Sequence, residues 1–527
     1  MSYSKYNATT FNKTKIRTPR DYSPFSGICT VCTSDCTGTC EIGRSAIRGS
    51  ELLYPTERTT SQTASEKDYP VDFSHFNING RCFGSLGTSP EKTAYPNVNL
   101  ATEAGNGANK IKLKSPYLFP AMAKLNWEGY YAGAALSGVI AVIGEDMPST
   151  DPETVLKNGK VVAMPMLKKM YDSFYNFSDG YGALFLQANS DDERMGLLEY
   201  AISEIGFDAV ELKMGQAAKG IQGTAKLSSL EKALNLQQMG YEVYPDPANQ
   251  GIQDAYKKGI RLPFYKVGRL PNWEENTFLK RIEALRSKGA RFISVKTGPF
   301  RPADLAKTLM FASKAGIDLV TVDGSGGGTG NSPIRMMNEW GYPTVYLETV
   351  LYQICQKMRE KNLYLPTLVM AGGFAFEDQI FKGLALGAPH IKLIGIGRAA
   401  MTAAMVGNTI GKLIEKDNIP AALTQYGQSF TEIFCGLPAL RARFGDKVGK
   451  IQPGAIGLYN FVERLDTGLK QLMALCRKYN LGLITRDDIV PLTEESARIT
   501  GLKRIMEVDT EEIDQILSCH RDGSLDT

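Results

Sequence analysis

Four of the nine cysteines fall within twelve residues, in "CTVCTSDCTGTC". Cys29, Cys32, Cys36 and Cys40 are spaced Cys-x2-Cys-x3-Cys-x3-Cys. Four thiolates this close satisfy a 4Fe-4S cluster or a tetrahedral zinc ion. The spacing is not the bacterial ferredoxin run, and no proline follows Cys40. A second kind of chemistry is written in glycine. "DGSGGGTGNSP" (Asp323–Pro333) directly follows the β-forming run "IDLVTV" (Ile317–Val322). Glycine costs conformational entropy on folding, so a loop this rich in it implies that something must approach the backbone closely. Two further strand ends carry glycines: "AGGF" (Ala371–Phe374) and "GIGRA" (Gly395–Ala399), the latter opening a helix. Amides at a helix N-terminus attract anions, and Arg398 is a candidate phosphate partner. Each motif alone reads as a tight turn. Three at successive strand ends read as a site for a phosphate-bearing ligand.

Such a site needs elements to position it. The middle of the chain alternates apolar strands with amphipathic helices: "FDAVELKM", "RFISVK", "IDLVTV", "PTLVMAGG" and "HIKLIGIGRA" are separated by helical stretches such as "TFLKRIEALRSKGA" and "ADLAKTLMFASKAG". Alternation of this kind requires parallel strands joined by right-handed crossovers. An open doubly wound sheet shares the rhythm. The number of repeats after about residue 115, and polar residues at the C-terminal strand ends, favour a (β/α)8 TIM barrel. We expect an α/β protein in three parts. Residues 1–110 form a loop-rich, Cys-containing N-terminal arm, residues 111–415 the barrel, and residues 416–527 a helical C-terminal extension. "YPDPANQG" and "YKVGRLP" are expected to be loops at the mouth.

Composition narrows the function. The net charge of +4 arises from 60 basic and 56 acidic residues mixed along 527 positions. That balance gives no nucleic-acid footprint. No apolar run is long enough to span a bilayer, and the polar, basic N-terminus lacks the apolar stretch of a secretory signal, so a cytoplasmic location is expected. A disulfide framework is not expected in such a chain. Only three histidines occur, far apart at His75, His390 and His520. A histidine metal site is therefore not expected, and His390 reads as a packing residue at the barrel's N-terminal end.

The stretch "ISVKTG … DLVTVDGSGGGTGNSP … AGGFAFEDQIFKGLALGAPHIKLIGIGRAAM" resembles the FMN-binding synthase domain of glutamate synthase. "VELKMGQAAKG" (Val210–Gly220) is similar to that family's Lys-Ile-x-Gln-Gly-Ala-Lys stretch. The tail "KIQPGAIGLYNFVERLDTGLKQLMALCRKYNL" is similar to that of short, stand-alone members, the FMN-binding glutamate synthase family proteins. The resemblance covers roughly residues 115–410. It implies a (β/α)8 barrel with FMN at its C-terminal mouth. By resemblance, Gly326, Gly327, Gly328, Thr329 and Gly330 lie against the flavin, while Gly372, Gly373, Gly397 and Arg398 hold its phosphate. Lys296 opposes the negative charge of the reduced flavin, the alternative being a salt bridge at the barrel rim. Lys213, Gln216 and Lys219 face a dicarboxylate substrate, the alternative being a solvated loop. Asp378 is read as a helix N-terminal charge.

The resemblance implies an FMN-dependent oxidoreductase acting on CH-NH2 donors, reducing a 2-imino acid such as 2-iminoglutarate to an amino acid. Three departures qualify it. The chain opens "MSYSKY" where full-length relatives begin with a glutaminase nucleophile, so no glutaminase of its own is expected. The family's Cys-x5-Cys-x4-Cys motif after the barrel is replaced by a lone Cys435. The family's Gly-His-Asp-Gly-Gly-Thr-Gly has Ser325 and Gly326 in place of His-Asp. A different small amine or carbonyl substrate, or a non-catalytic electron-relay subunit, are the alternative readings. Expected partners are a 2-oxo or amino acid, ferredoxin or an electron-transfer or amidotransferase subunit, and further copies of the chain in a homo-oligomer. No nucleic acid or membrane is expected. The N-terminal cysteines are expected to hold the 4Fe-4S cluster that feeds the flavin, with structural zinc as the alternative. Protein prepared without oxygen should therefore contain iron and show a broad brown absorption. Zinc without iron would make the four cysteines a structural clamp.

Overall fold

In the computed structural model, residues 69–518 are described, with Ile47 and Ser65, except positions 106, 108, 123–125, 218, 261–262 and 329–331. The four clustered cysteines lie outside the described residues, as do Thr329 and Gly330.

Eight parallel strands close into a barrel. In chain order they are β1 (Tyr117–Met122), β2 (Ile140–Ile143), β3 (Ala183–Ala188), β4 (Ala209–Lys213), β5 (Phe292–Thr297), β6 (Leu319–Asp323), β7 (Thr367–Ala371) and β8 (Ile391–Gly395). Helices follow each strand: α1 (Trp127–Ser137), α2 (Pro165–Tyr175), α3 (Leu197–Tyr200), α4 (Glu275–Lys288), α5 (Pro302–Ala315), α6 (Thr344–Glu360), α7 (Glu377–Leu386) and α8 (Arg398–Glu415). The expected (β/α)8 barrel is thus the observed fold. The strands are almost wholly buried, as continuous apolar runs covered on both faces should be. Asp378 lies in the first turn of α7, where its charge meets the helix N-terminus.

Side chains alternate in and out along each strand, so every second residue enters the barrel. Leu118, Ile140, Val142, Phe185, Ala209, Phe292, Leu319, Val369 and Leu393 form one apolar cluster there. Phe185 and Phe292 meet with ring centroids 5.2 Å apart. Ala104 and Leu113 join the same cluster from a hairpin of strands Thr102–Ala104 and Ile111–Leu113. That hairpin spans position 110, so the last residues of the arm close the barrel floor.

Two segments differ from the sequence expectation. "YPDPANQG" and "YKVGRLP" are only partly loops. Strands Glu242–Tyr244 and Phe264–Val267 pair with each other and, through the latter, with Thr224–Leu227 in a three-stranded antiparallel sheet. This sheet, with helices Leu230–Gln238 and Gln250–Lys257, is inserted between β4 and α4. Strands of three or four residues are too short to display a period-two pattern. Farther out, Phe76–Ile78 pairs antiparallel with Ile489–Pro491, joining the arm to the C-terminal extension. His390 packs as expected just before β8, with Nε2 3.2 Å from Gln356 Oε1. Burial, then Arg359, Lys392 and Arg486, push its pKa down to about 4, so the ring stays neutral at ordinary pH.

The long helix α9 (Pro453–Leu475) packs on α1 and α8. It carries one buried carboxyl to the start of the barrel: Ser115 Oγ donates to Asp466 Oδ2 at 2.6 Å. Burial pushes the Asp466 pKa up to about 7. The folded chain therefore binds this proton more tightly than the unfolded chain. The contribution to stability is fully present below about pH 4 and is lost as pH rises through about 7. Asp466→Asn should remove that slope and gain on the native protein by on the order of 1–3 kcal/mol between pH 4 and pH 8. Thermal unfolding of both proteins across that range checks it.

Candidate active site

The inward alternation that fills the floor with apolar groups brings polar ones to the next level. Gln187 of β3 donates to Glu211 Oε1 of β4 at 2.6 Å, and Ser294 Oγ of β5 donates to Glu211 Oε2 at 2.8 Å. Burial pushes the Glu211 pKa up, against the opposing pull of Lys296 and these hydrogen bonds. Two residues farther along β4 and β5, Lys213 and Lys296 point into the C-terminal mouth, where Asp323 joins them from the end of β6. Lys213 and Lys296 are direct register partners on β4 and β5. Two adjacent ammonium groups in a buried site require counter-charges. Lys213 pairs with Glu145, whose carboxylate also lies 3.8 Å from Lys219. Lys296 lies 3.3 Å from Asp323 Oδ2.

Burial disfavours the ionised form of Glu145, yet Lys213 and Lys219 outweigh it and hold the carboxyl well below the usual range. Lys219 is pushed down to about 8, first by burial and then by Lys213. The next residue along, Asp146, has φ 68°, a left-handed conformation uncommon outside glycine. Its polar atoms are all held. Its N–H donates to Asp192 Oδ2 at 2.8 Å, and Asn189 donates to its Oδ1 at 2.9 Å. Lys266 of the inserted sheet pairs with its Oδ2 at 2.8 Å. Burial, then Asp146, push the Asp192 pKa well above the usual range.

Beside this cluster lies a cavity of about 270 Å³ whose wall includes Gln216, Lys296, Asp323, Gly372, Gly373 and Arg398. Gly327, Gly328 and Gly397 also line it. Gly326 sits just behind, where a Cβ would come within 2.4 Å of Gly372 O. Gly372 itself has φ 125°, a conformation open to glycine alone. α8 begins at this wall with Gly397 as its cap residue, and no side chain caps its first amides. Open helix amides, Arg398 and a wall stretch of glycines without Cβ atoms (Gly327, Gly328, Gly372, Gly373, Gly397) fit the phosphate and flat ring of the expected FMN. A larger cleft of about 1600 Å³ lies elsewhere, between the C-terminal segment and the N-terminal end of β8. It holds charges of both signs and none of these residues.

The structure therefore gathers most of the expected site. Lys296, Gln216 and seven of the glycine and arginine positions meet at one mouth, with Lys213 and Lys219 in the adjoining cluster. The solvated-loop alternative for Lys213 and Lys219 does not hold, since both are buried. Lys296 makes the salt bridge of its alternative reading and still faces the cavity. The sequence reading missed Glu145, Asp146, Asp192, Lys266 and Asp323. Glu145 and Asp146 directly follow the apolar run "VIAVIG", and charged residues after such a run were the available signal.

Residues 273–408 match the family model described as a conserved region in glutamate synthase. The archaeal-type glutamate synthase (NADPH) of Thermotoga neapolitana is 33% identical over 326 residues, which are 59% of this chain and 52% of that protein. The second half of the barrel is thus similar to the conserved region of glutamate synthases. The Archaeoglobus fulgidus archaeal glutamate synthase (NADPH) is 28% identical over 197 residues, 37% of this chain and 34% of that one. The chain thus spans about half or less of the length of these relatives. Among solved structures, a flavocytochrome b2 variant with sulfite bound aligns at 13% identity with a TM-score of 0.46, covering 84% of this chain and 81% of that one. Among the described residues, no helix is long and apolar enough to cross a membrane, and no group of three or more His, Cys, Asp or Glu is placed to hold a metal ion.

Lys219 is the cation of this cluster most open to a ligand carboxylate, since its pairing to Glu145 is the looser of the two. Lys219 loses its proton as pH rises through about 8. Affinity for a carboxylate probe held by Lys219 should fall above that pH, by about tenfold per unit once Lys219 is mostly neutral. Lys219→Met should bind weakly and without this pH dependence, as read by calorimetric titration.

Proposed function

We propose that this protein is an FMN-dependent oxidoreductase of the glutamate synthase type, reducing a 2-imino acid to the amino acid. The observation that carries the reading is the meeting, at one barrel mouth, of a glycine-rich cavity with Lys296 on its wall and a buried Lys213–Glu145–Lys219 cluster beside it. When bound, FMN supplies the hydride for such a reduction. Arg398 and the first amides of α8 would anchor its phosphate. Lys296 would stabilise the negative charge that reduction brings, and fixed charge in a buried site acts without reorganising. Lys219 and Gln216 would hold the substrate's carboxylates. Lys213 would keep Glu145 ionised and in place. Ammonia would come from solution or from a partner. Electrons would arrive from ferredoxin or an electron-transfer subunit through the 4Fe-4S cluster at Cys29, Cys32, Cys36 and Cys40. A cytoplasmic homo-oligomer suits this role.

One observation favours a second reading. Gly326 stands where the family pattern has an aspartate, and the loop packs too tightly on Gly372 to admit a side chain. A small amine or carbonyl other than 2-iminoglutarate is then the substrate of the same machinery. A pure electron relay would need no substrate cations, and the buried lysines speak against it.

Anaerobic protein supplemented with FMN should show flavin absorption and, once reduced, convert 2-oxoglutarate and ammonium to glutamate. Flavin that is retained but never reoxidised by this pair would move the assignment to the second reading. Lys296→Ala should keep FMN, because the phosphate is held elsewhere, and lose at least about a hundredfold in turnover. Normal turnover by Lys296→Ala would remove Lys296 from the mechanism.

A further inference from the structure

The cavity wall carries three charged side chains among the described residues: Lys296, Arg398 and Asp323. Arg398 stands at the N-terminus of α8, at the phosphate end. Asp323 is the last residue of β6. The pleat turns it inward after Leu319 and Thr321, so it lies beside Lys296 of β5. Its Oδ2 is 3.3 Å from Lys296 Nζ and accepts the N–H of Ala217 at 3.3 Å. Both charged groups are buried, at 3% and 10% side-chain exposure, so water screens the pair weakly. A carboxylate is also absent from the neighbouring loop. At Gly326, where the family pattern has one, a Cβ would strike Gly372 O. This chain places its acidic group at the strand end, in direct contact with the lysine.

We infer that Asp323 is a further active-site residue that sets the charge of the cavity floor. Together with Lys296 it makes that floor a buried zwitterion instead of a net cation. Two consequences follow. A flavin bound in the cavity would be harder to reduce beside the pair than beside Lys296 alone, because part of the field that stabilises added negative charge is cancelled. The floor also favours a ligand bearing a cationic nitrogen together with its carboxylates over a ligand with carboxylates alone, since Asp323 attracts the former group and repels the latter. The first consequence rests on the flavin reading of the previous section. The second does not.

Asp323→Asn and Asp323→Ser, each checked for native melting, separate the cases. With FMN bound, both should raise the flavin midpoint potential, and Lys296→Met should lower it. Independently of flavin, the ratio of glutarate to glutamate dissociation constants, measured by calorimetry, should fall about tenfold when Asp323 is neutralised. A potential that drops in Asp323→Asn would mean that Asp323 only holds Lys296 in place, and would overturn the inference. So would an unchanged ligand ratio in both variants. Failure of every preparation to bind flavin would sink the proposed function, while the ligand ratio would still decide on Asp323.

Discussion

The site depends on one geometric constraint: in a closed barrel of pleated strands, every second side chain must enter the interior. Nothing at the lower end needs more than close packing, and the inward residues there are apolar. At the upper end the same rule forces Lys213, Lys296 and Asp323 inward, away from water. An unpaired buried charge costs several kcal/mol, so each cation must find a counter-charge or lose its proton. Glu145 and Asp323 answer two of the lysines closely, and Lys219 is the one left loosely paired. Between floor and mouth, Gln187, Glu211 and Ser294 form a hydrogen-bonded layer that separates the apolar packing from the ionic pairs. The polarity gradient along the barrel axis is thus a direct product of the strand period and the strand sequences.

The counter-charges are themselves supported. Glu145 extends from a turn whose next residue, Asp146, takes a left-handed conformation that costs on the order of 1 kcal/mol outside glycine. Asn189 and Asp192, from one capped helical turn after β3, and Lys266, from another element, hold Asp146 there. Lys266 comes from the inserted sheet, so this excursion from the barrel takes part in the site through one ammonium group. Strain located next to a catalytic candidate and bound on every polar atom is consistent with pre-organisation of the mouth.

Much of this was legible in the sequence, for physical reasons. Long apolar strands alternating with amphipathic helices admit few architectures, and glycines at consecutive strand ends marked the mouth. Lys296 and Gln216 were readable from the resemblance, and the cavity collects them with Gly372, Gly373 and Arg398. What escaped were the partners. Glu145 and Asp323 owe their roles to neighbours far off in the chain, on other strands. Asp323 was in plain view as the first residue of the glycine stretch, yet only closure of the barrel sets it against Lys296. The inserted sheet escaped because its strands are too short to carry a period. Burial of Lys213 and Lys219 is likewise a product of that insertion and of the loop after β2, neither of which a local pattern reveals.

The clasp between Phe76–Ile78 and Ile489–Pro491 bears on how the chain reaches this state. Asn79 N donates to Asp488 O at 2.8 Å, joining residues about four hundred positions apart. During synthesis the arm strand leaves the ribosome long before its partner exists. Its hydrogen-bonding edge must wait through the making of all eight barrel strands. Closing so long a loop carries an entropic cost that grows only slowly with length, but it can be met only at the end. The barrel is thus free to assemble first as the chain emerges, with the clasp as the last join, and whatever the arm carries becomes anchored only when the barrel is complete.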